Sequence, residues 1–165
     1  MGAGHMASQG GGYEPLRSFD FELQLYGVPG QDILKLSVDS FTPSGMSNDP
    51  IAVPYLNQVI YVAGQGKAST ASVVVRDMVD QDVWGNILQW QKMVQDPDTM
   101  DIGLASTYKK QGDLVMLGPD GSGEKHYRME GIWPTDVKAE RVSYKGGDLF
   151  NITVTLSVDK CQAQF

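Results

Sequence analysis

One stretch near the end of the chain alternates strictly between apolar and polar residues. Phe150, Ile152, Val154, Leu156 and Val158 fall on one side of an extended chain; Asn151, Thr153, Thr155, Ser157 and Asp159 fall on the other. The polar side is small, with no aromatic residue and a single charge. Residues 19–26 alternate in the same way, with Phe19, Phe21, Leu23 and Leu25 opposite Asp20, Glu22 and Gln24. Gly27-Val-Pro-Gly30 is turn chemistry, and Leu34, Leu36 and Val38 alternate after it, which predicts a hairpin. Residues 58–63 and 69–78 read as strands around a turn at Gly64-Gln-Gly66. The run Val73-Val-Val75 suits a strand covered on both faces.

Between the β-patterned regions, the period changes. Val83, Ile87, Trp90 and Val94 recur at helical spacing, with Trp84 and Leu88 widening the stripe and Gln89, Gln91, Lys92 and Gln95 outside it. Asp80 or Asp82 is the expected cap, and Pro97 the stop. Gly85 is a weak point of about 1 kcal/mol relative to Ala. Trp84, Ile87, Leu88 and Trp90 are the expected packing contacts between helix and sheet. Lys92 and Gln95 are expected on its outer face.

Residues 42–54 break both periods, with Pro43, Pro50 and Pro54 among Gly45, Asn48 and Asp49. They read as a long loop or an extended hairpin tip, and a loop of about a dozen residues in a compact domain is usually functional or disordered. Met46 and Ile51 give it apolar surface to bury on a partner. Residues 98–112 carry no clear pattern. Residues 114–117 and 125–129 flank Gly118-Pro-Asp-Gly-Ser-Gly123, a strong hairpin signal. Trp133-Pro134 is expected to end that strand. Residues 141–144 form a candidate short strand before a turn at Gly146-Gly147.

These elements make a mainly β chain of 165 residues, the size of one domain. Residues 1–12 are rich in Gly, Ala and Ser, and Gly4-His-Met-Ala-Ser8 reads either as a cloning remnant or as part of a native arm. Residues 1–18 are therefore expected to be a flexible arm, and residues 19–165 the β domain. Net charge is −7, which disfavours the phosphate neutralisation of a nucleic-acid binder. The single cysteine, Cys161, excludes an internal disulfide. No signal-peptide pattern and no apolar run near 20 residues is present, so no membrane anchor is expected.

Catalytic chemistry is equally thin. Gly118–Lys125 misses the phosphate-loop motif: Glu124 intervenes, His126 stands where Ser or Thr is needed, and the segment is a hairpin. Asp77, Asp80 and Asp82, like Asp96, Asp98 and Asp101, lack the glycine and terminal glutamate of a calcium loop. His126 and Cys161 have no partners at catalytic spacing. No catalytic residue, metal or cofactor is expected. A β-rich chain of this kind works through its surfaces.

The order of these segments resembles the tail tube proteins of contractile-tailed (myovirus-type) bacteriophages. The resemblance rests on Ile60-Tyr-Val-Ala-Gly64 leading into the valine strand, then Trp90-Gln91, Tyr108-Lys-Lys110, Gly131-Ile-Trp-Pro-Thr-Asp-Val137 and the final Thr/Val strand. It covers the chain from Phe19 onward. It implies an antiparallel β-sandwich or small barrel with one flanking α-helix. Six copies would join their sheets into one continuous inner β-barrel, and the hexameric rings would stack. The implied partners are further copies of the chain, the tail sheath protein, a baseplate tube initiator, a tape measure protein in the lumen, and DNA passing without specific binding. The implied location is the virion tail, assembled in the cytoplasm of the host bacterium.

On that reading, Asn151, Thr153, Thr155 and Ser157 line the lumen. Met46, Ser47, Asn48, Asp49 and Ile51 reach the neighbouring ring, and Lys92 and Gln95 face the sheath. A baseplate tube initiator, or the tube protein of a related injection or type VI secretion system, would share the fold. A monomeric β-rich binding module is the alternative of a different class.

Overall fold

The structure is a computed structural model that describes residues 16–146 and 149–164, with the backbone alone at Ile33 and Glu124. The expected N-terminal arm lies outside the described residues as far as residue 15, as does Gly147 of the expected glycine turn. Among the described residues, nine strands and three helices follow in order: β1 (Phe21–Tyr26), α1 (Gln31–Ser37), β2 (Val38–Thr42), β3 (Met46–Tyr55), β4 (Gln58–Ala68) and β5 (Ala71–Arg76). Then come α2 (Val83–Val94), α3 (Ala105–Tyr108), β6 (Lys110–Leu117), β7 (Gly123–Ala139), β8 (Asn151–Ser157) and β9 (Lys160–Ala163). The fold is mainly β, and every strand pairing is antiparallel.

Seven strands form one curled sheet in the order β1-β6-β7-β8-β5-β2, with β9 beside β7. The alternation of β8 is realised as read. Ile152, Val154 and Leu156 are 0–2 % exposed, while Asn151, Thr153, Thr155 and Ser157 are half-buried on the other face. β5 pairs with it in register, Val73 to Val154 and Val75 to Ile152, so both apolar rows enter one core. Val74 is half-buried, so the valine run is covered on one face and partly open on the other.

α2 closes that core. Val83, Ile87 and Trp90 are 1–2 % exposed against it. Asp82 caps the helix, its carboxylate accepting from Gly85 N–H at 2.9 Å. A Cβ on Gly85 would lie 2.1 Å from that carboxylate, so the glycine admits the cap. Trp84 and Leu88 are 37 % and 42 % exposed at the margin of the stripe, and the Trp84 ring lies 5.6 Å from that of Phe150.

β7 is the pivot of the sheet. Its first half pairs with β6 and β9; its second half, Trp133–Ala139, pairs with β8. Gly131 sits at the changeover with φ +68°, a left-handed conformation that favours glycine. A Cβ there would also meet Asp159 at 2.3 Å. Beyond the corner, Ile132 is fully buried, and Trp133 stacks edge-on to Tyr108 with ring centroids 5.7 Å apart. Trp90 Nε1 donates to the Tyr108 carbonyl at 2.9 Å. Three separated segments of the resemblance therefore meet as one fastening between α2 and β7.

Several expectations are corrected. Residues 34–38 do not return as a hairpin strand. Residues 31–37 form α1, entered from Gly30 at φ +67°, and β1 pairs with β6 instead. Leu34 is buried and Leu36 is 77 % exposed. Three alternating residues are too few to separate the two periods. Gly64-Gln-Gly66 is not a turn: it lies inside β4 beside a bulge opposite Asn48 and Pro50, a common use of strand glycine. Trp133-Pro134 does not end its strand; Pro134 sits in β7 next to a second irregularity. Residues 141–144 form no strand, and Val142 and Tyr144 point outward. The single flanking helix is joined by two short ones, α1 and α3.

Candidate functional site: two open sheet edges and a protruding arm

The half of the sheet formed by β7, β8, β5 and β2 is open on both sides. β2 pairs only with β5, and Trp133–Ala139 pairs only with β8 among the described residues. β1 does not close the gap to β2; a cleft of about 750 Å³, with Phe19, Phe21, Leu36 and Phe41 in its walls, lies beside both. Directions alternate from β7 through β8 and β5 to β2. β2 therefore runs opposite to β7, and β2 of one copy laid against β7 of another would continue the antiparallel pattern. Free edges of this kind pair readily unless something covers them.

The outer face of this half-sheet is built from small polar residues. The registers bring Ser40 and Thr42, Ser72 and Val74, Thr153 and Thr155, and Asp136 and Lys138 into neighbouring rows. Its charges are paired on the same face: Arg76 Nη2 lies 2.8 Å from Asp39 Oδ1, and Lys138 Nζ lies 3.4 Å from Asp136 Oδ2. Buried and unpartnered, Arg76 Nε and Asn151 Oδ1 stand on directly opposed residues. The four residues expected to line a lumen lie at the centre of this neutral surface.

β3 and β4 form a separate two-stranded arm. Met46, Ser47, Asn48, Asp49 and Ile51 belong to its first strand, so the alternative of an extended hairpin holds and the loop does not. One face carries Ile51 opposite Val62 and Val53 opposite Ile60; the other carries Ala52 opposite Tyr61 and Pro54 opposite Val59. Both faces are apolar. Ile51, Val59, Ile60, Tyr61 and Val62 are 47–69 % exposed, and Leu56 at the tip is 90 % exposed. The base is firmly held: Ser69 N–H donates to the Gly45 carbonyl at 2.8 Å, and the Tyr127 hydroxyl donates to that of Ser44 at 2.6 Å. Burial, and secondarily a hydrogen bond with Cys161, pushes the Tyr127 hydroxyl up to about 12.

On the core side of the sheet, α2 presents Lys92 and Gln95 to solvent, with Lys92 3.9 Å from Asp96. Both border an open cleft of about 680 Å³ that also touches Leu88, Trp133 and Pro134. Among the described residues, no group of three or more His, Cys, Asp or Glu side chains is arranged to hold a metal, and no helix is long and apolar enough to cross a membrane. Sequence reasoning missed the free edge of β7, the first strand of the arm and the arm's second apolar face, although it read residues 58–63 as a strand. The alternating apolar and small residues of 50–63 carried part of that signal.

No protein-family model and no curated protein sequence matches the chain. Its fold is nevertheless that of tube proteins. A chain of the extended sheath–tube complex of an extracellular contractile injection system (PVC) superposes with a TM-score of 0.73 at 13 % identity, covering 99 % of this chain and 98 % of that one. A chain of the anti-feeding prophage baseplate, 6-fold symmetrised, gives 0.70 at 10 % identity over 91 % and 95 %. The SPP1 tail tube gives 0.52 at 10 % identity over 90 % and 78 %. The fold class is thus the one shared by contractile injection-system tubes and phage tail tubes.

Proposed function

We propose that the chain is the structural subunit of the inner tube of a contractile machine. Six copies close a ring by laying β2 of each against Trp133–Ala139 of the next, and the rings stack into a tube. The observation that carries this reading is the pair of free, oppositely directed edges on one sheet whose outer face is small, polar and neutral. Closure into a common barrel would remove both edges. The sixfold number follows the resemblance and agrees with the 6-fold symmetry of the prophage baseplate.

Curling the sheet this way puts Asn151, Thr153, Thr155 and Ser157 on the lumen and α2 on the outside. A lumen with every cation paired offers DNA no net phosphate neutralisation, so DNA slides through a phage tail tube without being held. On the outside, Lys92 and Gln95 face the sheath. A baseplate initiator would nucleate the first ring, and a tape measure protein would fill the lumen during assembly in the host cytoplasm, before the tail becomes part of the virion. A second reading, the tube of an extracellular injection system, is favoured by the higher superposition with that machine than with the SPP1 tail tube.

Negative-stain electron microscopy across a concentration series tests the reading. Hollow rings or tubes are expected, with a matching baseplate added if nucleation is slow. Uniform monomers under all conditions, baseplate included, would instead support a monomeric binding module.

A further inference from the structure

The turn between β6 and β7, Gly118-Pro-Asp-Gly-Ser-Gly123, carries chemistry that the tube reading does not use. Asp120-Gly121 is the single Asp-Gly step of the sequence, which has no Asn-Gly step. An aspartate before a glycine is open to attack by the backbone on its own side chain, because glycine has no Cβ to shield its nitrogen. Pro119 through Gly123 are exposed. A Cβ built on Gly121 would meet nothing within 4 Å. The turn therefore has room for a ring and access for water.

We propose that Asp120-Gly121 is a modification site at which aspartate converts to isoaspartate, and that Ser122 holds the conversion in check while the chain is folded. In the first step the Gly121 nitrogen bonds to Asp120 Cγ. The hydroxyl of the protonated carboxyl and the amide proton leave together as one water, and a five-membered succinimide closes. In the second step one water opens the ring. Cleavage of the bond from nitrogen to Cγ restores aspartate. Cleavage of the bond from nitrogen to the main-chain carbonyl of residue 120 leaves the chain running through Cβ and Cγ, with one extra backbone carbon. The former carbonyl carbon then carries the free carboxylate. Water is the only co-reactant, and nothing is oxidised or reduced.

The fold restrains both reacting groups. Asp120 Oδ1 accepts from Ser122 Oγ at 2.7 Å and from Ser122 N–H at 3.1 Å. These bonds hold the Asp120 carboxyl below the usual carboxylate range, and an ionised carboxylate has no hydroxyl to lose. They also tie the side chain to residue 122, past the Gly121 nitrogen that it must meet. The nucleophile is engaged as well. Gly121 N–H donates to the Gly118 carbonyl at 2.9 Å, and Gly118 N–H donates to that of Ser122 at 2.8 Å. Pro119 at the second position and glycine at the fourth suit such a turn. Unfolding, or loss of the Ser122 hydroxyl, releases the carboxyl group. This chemistry belongs to each folded copy and is independent of the tube reading.

The test follows folded wild type, urea-unfolded wild type, folded Ser122→Ala and folded Ser122→Thr through prolonged incubation at mildly acidic pH. Trypsin releases residues 111–125 as one peptide. Its isoaspartyl form separates by chromatography at unchanged mass, and electron-transfer fragmentation places the change at residue 120. Folded Ser122→Ala is expected to convert about tenfold faster than folded wild type, the weight of one lost hydrogen bond to a charged group. Ser122→Thr, which keeps the hydroxyl, is expected to match wild type, and the unfolded chain to convert faster than folded wild type. Urea unfolding of Ser122→Ala is expected to superpose on that of wild type, which separates loss of the restraint from loss of the fold. Equal rates in folded wild type and Ser122→Ala, or in Ser122→Thr and Ser122→Ala, would overturn the role of Ser122. An unfolded chain that forms no isoaspartate at residue 120 would overturn the site itself.

Discussion

β8 and β4 are both strands rich in Val and Ile, yet they use those residues in opposite ways. In β8 every apolar side chain points inward and is 0–2 % exposed, and the other face is Asn, Thr and Ser. In β4, Val59, Ile60, Tyr61 and Val62 are apolar on consecutive positions and therefore on both faces, and all are 47 % or more exposed. The first strand satisfies its hydrophobic demand within one chain. The second cannot, because its own chain offers it only β3. The difference teaches where to look for a partner: the body of the molecule buries its apolar residues within one chain, and the arm and sheet edges leave theirs open.

The sharpest way to break this comparison is to cut equally into both strands. Ile152→Ala removes a fully buried side chain and is expected to destabilise the dispersed protein by about 2–5 kcal/mol in urea unfolding. Ile60→Ser with Val62→Ser is expected to change that stability within about 0.5 kcal/mol per site, as for exposed positions, yet to abolish tubes. A large loss of monomer stability from the arm variant would mean that the arm is held by its own chain.

A smaller effect is expected at the corner of β7. Gly131→Ala forces a side chain into a left-handed conformation and against Asp159, costing on the order of 1–3 kcal/mol. On the proposed ring closure it should also weaken assembly beyond that loss, because the corner orients Trp133–Ala139, the edge proposed to meet the neighbouring copy. Equal effects on unfolding and on assembly would reduce Gly131 to a local packing role. Asp82→Ala removes the cap of α2 and should cost about 1 kcal/mol, with rings unaffected by electron microscopy. Loss of rings in that variant would assign α2 to the interface.

A further effect is expected as a pH dependence at the base of the arm. Tyr127 holds its proton up to about 12 in the folded chain, against about 10 for an ordinary tyrosine. Its contribution to stability is therefore fully present below about pH 10 and is lost as pH rises toward about 12. Ultraviolet titration of tyrosinate should show a late group that disappears in Tyr127→Phe, while Tyr26, also raised by burial and its hydrogen bond with Asp113, is unaffected. An unchanged titration in that variant would contradict the assignment.

What could be read from the sequence follows the same division. The strand of residues 151–157 and the helix of residues 83–94 each bury one face in their own core, so period and burial agree. The second strand of the arm was legible over residues 58–63, but the first was obscured because Pro50 and Pro54 suggest a loop; both are tolerated on a strand with an unpaired edge. α1 was obscured because Leu34, Leu36 and Val38 fit an alternating template over too short a span. The small polar face of β8, which we propose lines a lumen, was legible as strict alternation. The open edge of β7 was not, because a missing neighbour leaves no mark on the sequence of the strand that lacks it.

The central claim is that the edges and the arm are covered by other copies of the chain. Amide hydrogen exchange, compared between dispersed protein and assembled tubes, tests it most directly. The account predicts that amides in Val38–Thr42, in residues 135–139 and in the arm become strongly protected on assembly, while those of β8 and β5 are protected in both states. Assemblies in which the β2 and β7 edges exchange as fast as in dispersed protein would contradict it.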